Sequence, residues 1–152
     1  MKRLGFLGIL ILCSFSPVKM VKTKIADGIT VSLPTTLTPM TEQDIIQRYP
    51  SVRAPLGAFT NANRDADFSV NISATQWTQA DLEMAAKFFK SGIYNLYDRV
   101  DIISSGIQTI GKKKFIFYEF ESRVNGNKLK EGERQPVFRY SYVQYYIEKG
   151  AH

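Results

Sequence analysis

Cysteine and histidine are almost absent. Among 152 residues there is one of each, Cys13 and His152. A lone cysteine forms no internal disulfide and no cysteine-based metal site. A lone histidine at the last position gives no Ser–His or Cys–His pair inside a fold. Cofactor signatures are also missing: there is no glycine-rich phosphate loop, no nucleophile elbow and no helical metal-ligand pair. No apolar run reaches the ~20 residues that a spanning helix needs. What is present is ordinary for a globular domain, with 44% apolar, 22% charged and 12% aromatic residues. The sequence therefore predicts no cofactor and no metal.

The net charge of +6 suggests an anionic partner until it is placed along the chain. Lys2 and Arg3 precede a nine-residue apolar stretch, Leu4 to Leu12. A basic start followed by a short apolar core is the pattern of an export signal, assigned here to residues 1–20. Cys13 follows that core, as the lipidated cysteine of a lipoprotein does, although Leu12 occupies a position where a small residue is usual. Ser14 and Ser16 offer ordinary cleavage instead. Loss of residues 1–20 removes Lys2, Arg3 and Lys19 and no acid, which halves the net charge. The expected location is exported: periplasmic, envelope-associated or secreted. Any membrane attachment would come through the signal or a lipid on Cys13. With so little positive charge left, nucleic acid is not an expected partner.

Residues 24–152 read as one α+β domain. Ile29 to Leu33 alternates apolar and polar residues up to Pro34, as a half-buried strand does. Thr41 with Asp44 opens a short helix that stops near Pro50. Residues 56–76 form a hairpin around the polar turn 61–67, with Phe68, Val70 and Ile72 alternating in its return arm. Thr78 with Asp81 caps the longest helix, whose buried face is expected at Leu82, Ala86, Phe89, Ile93 and Leu96. Strands are expected at 100–104 and 107–110, split by Gly106, then at Lys113 to Val124 and Val137 to Glu148. Both faces of the last two carry large apolar residues, which predicts a central pair in a sheet covered by helices.

The order of these features resembles the PsbP-like fold family. It is carried by the strand ITVSLP, a hairpin into FSVNIS, one long helix, the strand IGKKKFIFYEFES and the aromatic strand YSYVQYYIEKG. The likeness covers about residues 27–150 and rests on pattern, with no catalytic signature. It implies an antiparallel sheet sandwiched by helices in an α/β/α arrangement. It also implies a role in binding or assembly, as in the family's photosystem, nuclear-import and secreted bacterial members. Against that pattern the chain reads as lacking its last strand and helix. This raises the expectation of an exposed edge or of a dimer that completes the sheet.

Each candidate site has a plain alternative. Lys112, Lys113 and Lys114 form either an anion-binding patch or a solvated turn. Tyr140 and Tyr142, with Tyr146 and Arg139, form either a stacking platform or core packing. Asp65 and Asp67 suit a polar hairpin tip better than a calcium site. Glu119 and Glu121 share a strand face and would be the acid–base pair if the chain were a small hydrolase. The primary expectation is a non-enzymatic binding or assembly protein acting on an unknown protein or envelope component. The alternatives are that carboxylate hydrolase and an accessory subunit completing its sheet with a partner chain.

Overall fold

The computed structural model describes residues 17–50, 53–125, 128–129, 132–133 and 136–148. The chain is a mixed α+β protein, with antiparallel sheets and two α-helices among the described residues. Where the sequence reads as one domain from residue 24, the chain divides into two compact units, Met1–Ala74 and Thr75–His152.

The first unit begins with a hairpin that the sequence reading missed. Strand β1 (Met20–Ala26) pairs with β2 (Ile29–Pro34) across Asp27-Gly28. Gly28 takes a left-handed φ of 78°, which is the reason for glycine in this turn. The Asp-Gly pair between TKIA and ITVS is a hairpin signal. It was hidden by the nearness of β1 to the presumed signal. Strand β2 falls where expected.

A second, three-stranded sheet runs β3 (Thr38–Pro39), β4 (Gly57–Thr60), β5 (Asp67–Val70), with β4 in the middle. The return arm is shorter than expected. It ends at Val70, and Ile72 is left exposed outside the ladder. Helix α1 (Glu42–Arg48) starts as its sequence indicates, with the Thr41 hydroxyl accepting from the Asp44 backbone at 3.2 Å.

Charge ties α1 to the hairpin tip. Arg48 pairs with Asp67 and also donates to the Arg64 carbonyl at 3.1 Å, while Arg64 pairs with Asp44. Asn61 closes the tip by accepting from the backbone of Asp65 and Ala66, each at 3.1 Å. Asp65 and Asp67 are thus structural, as the plain reading had it. The Thr41 hydroxyl, followed by Arg64, holds the Asp44 carboxyl below its ordinary value of 3.8. A lowered carboxylate stabilises the fold above its unfolded pKa, and this contribution is lost as pH falls through the folded one. The α1–hairpin contact should therefore loosen below about pH 4. Protection of the amides in 42–48, taken against the intrinsic exchange rate at each pH, should fall there in the wild type and should fall less in Asp44→Asn over the same range.

The second unit carries the larger core. A single 3-10 turn (Gln79–Asp81) leads into helix α2 (Leu82–Leu96), and Thr78 and Asp81 close a capping box. The capped start agrees with expectation, and the buried face partly does. Leu82, Ala85 and Ile93 are buried, with Ala86 and Phe89 packed beside them. Leu96 is 71% exposed at the last position, because the chain turns away at Tyr97 toward the next strand. Trp77 lies along the helix against Phe88 and Phe89, with ring centroids at 5.3 and 6.2 Å.

Helix α2 packs on one face of the sheet β10–β7–β6, formed by β6 (Arg99–Ile110), β7 (Lys113–Val124) and β10 (Val137–Tyr146). Between β7 and β10, short strands β8 (Lys128–Leu129) and β9 (Gly132–Glu133) pair with each other inside what the sequence suggested was a loop. The inner row of β7, Ile116, Tyr118 and Phe120, is buried with Ile147, and Phe89 stacks on Tyr145 at 4.0 Å. The Tyr118 hydroxyl donates to the Ala86 carbonyl of α2.

Two strand expectations need correction. β6 is continuous through Gly106, where a break was expected. The irregularity is a bulge between Ile102 and Ser104. It adds one residue, so Val100 and Ile102 before it and Ile107 after it all reach the core. β7 is the central strand, but β10 lies at the edge, so the expected central pair is half right.

Candidate functional site

The outer face of β10–β7–β6 is the most unusual surface among the described residues. Register assigns its members. Lys113, Phe115, Phe117, Glu119, Glu121 and Arg123 come from β7, and the even-numbered residues Phe138 to Tyr146 come from β10. Arg99, Asp101, Ser104, Gly106 and Gln108 come from β6. Phe115 and Phe117 share this face, while Ile116, Tyr118 and Phe120 take the other. Of the two readings of the aromatic strand, core packing holds for β10 on one side only. Phe138 is 70% exposed, Tyr140 62%, Tyr142 50% and Tyr146 41%. The reason is that α2 covers only the inner row.

These rings are organised by contacts with their neighbours. The Tyr142 hydroxyl accepts from the amide of Gln108 at 2.9 Å and from that of Gln144 at 3.0 Å, which links β6 to β10 across β7. Its ring stacks with Phe117 at 6.2 Å. Phe117 in turn lies over Gly106, where an added Cβ would come within 3.4 Å of the ring. The Tyr140 hydroxyl donates to Glu119 at 2.6 Å, and that carboxylate raises the Tyr140 pKa. Phe115 meets Tyr146 at 5.3 Å. The ammonium of Lys113 sits 4.8 Å above Tyr146, and the guanidinium of Arg123 sits 5.8 Å from Phe138.

The predicted lysine cluster is split by this geometry. Lys112 lies in the turn with Gly111, whose φ is 61°, Lys113 joins the aromatic face, and Lys114 belongs to the opposite row. Lys113, Tyr140 and Tyr142 are therefore brought together, while Lys112 and Lys114 are not. Glu119 and Glu121 share the outer face as expected, and Glu119 is engaged by Tyr140. Cys13 lies outside the described residues.

The face is electrically balanced. Arg99, Lys113 and Arg123 are matched by Asp101, Glu119 and Glu121. Its resources are aromatic area, amide and hydroxyl hydrogen bonding, and little net field. Such a surface holds a partner by contact area and attracts no polyanion over distance. Sequence reasoning had found Tyr140 and Tyr142 but had not weighed Gln108 or Gln144. The alternation does signal the two glutamines, since each occupies a position on the aromatic row. Among the described residues no group of three or more metal-ligating side chains converges, and no helix is long and apolar enough to cross a membrane. Set beside known protein families, curated proteins and solved structures, the chain finds no match in any of the three.

Proposed function

We propose that this chain is an exported, non-enzymatic binding or assembly module of the PsbP-like type, and that it works through the outer face of its three-stranded sheet. The observation that carries the reading is the row of exposed rings on β10, held in place by Gln108, Gln144 and Glu119. Contiguous exposed aromatic area with a polar rim is typical of interaction surfaces. An α/β/α sandwich of this type carries a second layer opposite α2, and the rings mark where such a layer would rest. The balanced charge argues for a protein or envelope component over nucleic acid.

Export fits the position of β1. The Thr35 amide donates to the Lys19 carbonyl at 2.9 Å, and the ladder opens with Met20 opposite Pro34. A mature chain beginning at Cys13, or directly after Ser16, keeps that hairpin whole. Mass spectrometry of protein purified from its native host should find an N-terminus between residues 13 and 19, which keeps Lys19 and Met20 in the hairpin and the mature net charge one higher than loss of residues 1–20 would leave it, with a lipid adduct if Cys13 is first. An intact Met1 on the native protein would overturn the assignment of export.

A further inference from the structure

The two edges of the β10–β7–β6 sheet are built differently, and the difference identifies a pairing surface. β6 carries devices that blunt an edge: a bulge after Ile102, the charged residues Arg99 and Asp101, and Gly106 in its second half. Natural sheets use such features to prevent strand-to-strand association. β10 has no bulge and no glycine, and it carries one charge where β6 carries a close pair. Its register against β7 runs without interruption from Val137 to Tyr146, and it contains no proline and no glycine. Arg139 is its one charged residue. Among the described residues no strand lies on its far side.

From this contrast we infer that β10 pairs edge to edge with β10 of a second copy of this chain, joining two three-stranded sheets into one of six strands. The inference rests on the proposed use of this sheet as a binding surface and names its occupant. Antiparallel pairing about a twofold axis at Tyr142 sets Tyr140 against Gln144 and Phe138 against Tyr146 of the other copy. On the inner row it sets Ser141 against Val143. Arg139 falls opposite Tyr145, so the single charge of the strand never meets its own copy. Directly opposed like charges are what destabilise cross-strand pairs, and aromatic pairs stabilise them. A twofold interface requires this self-complementarity, and the near-neutral strand offers no charge for a charged partner to match. The exposed rings of both copies then form one continuous face. Pairing covers the backbone edge of β10 and the flanks of neighbouring rings, and it leaves the outer surface of the rings open for the binding role proposed above.

The test is sedimentation of the full chain, wild type against Tyr142→Lys and Tyr142→Glu. The wild type is expected to dimerise at micromolar concentration. Each variant should weaken the dimer at least ~10-fold, because like charges meet at or beside the axis. Mixing the two variants should restore a heterodimer, an outcome that misfolded variants would not give. A wild type that stays monomeric up to about 100 µM overturns the inference, as does a dimer indifferent to both variants. A photo-crosslinking residue in place of Phe138 separates the two readings in the native envelope. Crosslinks to a different protein overturn self-pairing and leave the binding surface standing. Absence of both dimer and crosslink overturns both.

Discussion

Phe120→Ala should be among the most destabilising substitutions in the second unit, lowering its melting temperature by tens of degrees. Phe120 is 2% exposed, in a core with Leu82, Ala85, Ile93, Ile116, Tyr118 and Ile147, and its ring meets Tyr97 at 5.9 Å. It lies on the central strand, opposite Ile102 on one side and Ser141 on the other, so no solvent-facing neighbour can collapse into the space it leaves. Removing a buried phenylalanine costs about 3–5 kcal/mol in transfer and cavity terms together. A unit of about 80 residues has total stability on the order of 4–12 kcal/mol, so the loss takes about a quarter or more of it. The melting temperature should drop by roughly 15–30 °C, at about 4–8 °C per kcal/mol for a unit of this size. Thermal denaturation followed by circular dichroism measures this. Phe138→Ala provides the contrast on the same sheet. It removes an equal ring from a position 70% exposed and should change stability by about 0.5 kcal/mol or less. A fall of under 5 °C for Phe120→Ala would contradict the assignment of the core, the threshold being about 1 kcal/mol.

Alkali should destabilise the same unit through its buried tyrosines. Burial raises the Tyr118 pKa from 10.0 to about 12, with Tyr145 adding to the effect, and Tyr118 donates its proton to the Ala86 carbonyl of α2. Tyr145, under Phe89, is raised for the same reason, and Tyr97 contributes. The folded state keeps these hydroxyls protonated longer than the unfolded chain does. Their contribution is therefore fully present below pH 10 and is lost as pH climbs through the raised values. Two pH units bound the Tyr118 effect at about 2.7 kcal/mol. Relaxation and water entry around an ionised hydroxyl lower the expected loss to about 1 kcal/mol. The urea midpoint should stay flat from about pH 8 to 10 and fall steeply toward 12. Tyr118→Phe should cost about 1 kcal/mol at neutral pH through its lost hydrogen bond and should reduce that alkaline slope. An unchanged slope would show that Tyr118 is not the titrating group.

Much of the fold was legible because local signals and tertiary packing agree. Thr41 with Asp44 and Thr78 with Asp81 marked both helix starts, since caps are local chemistry. β7 was legible from end to end because Lys113 to Val124 alternates without interruption. β6 was cut in two because Gly106 looks like a breaker. The residue that disturbs the strand is Ile103, an ordinary strand former whose displacement depends on its partner strand. Leu96 fitted the helical period yet faces water, because period places a residue on a face and cannot say where the covering sheet stops. The exposed face of β10 was illegible for the same reason. Tyr140 and Tyr145 are both tyrosines on one strand, and what distinguishes them is α2, which lies over one row and leaves the other open.

The bulge in β6 also singles out a residue that this strand can lose. Val100 and Ile102 reach the core in one alternation frame, and Ile107 reaches it in the other. Ile103 is the extra residue between the frames. Deleting it would set Ile102 and Ser104 side by side against Phe120 and Glu119, a regular ladder in which Val100, Ile102 and Ile107 all still face the core. Position 103 is therefore free to drift in chemistry over evolution, and free to be lost.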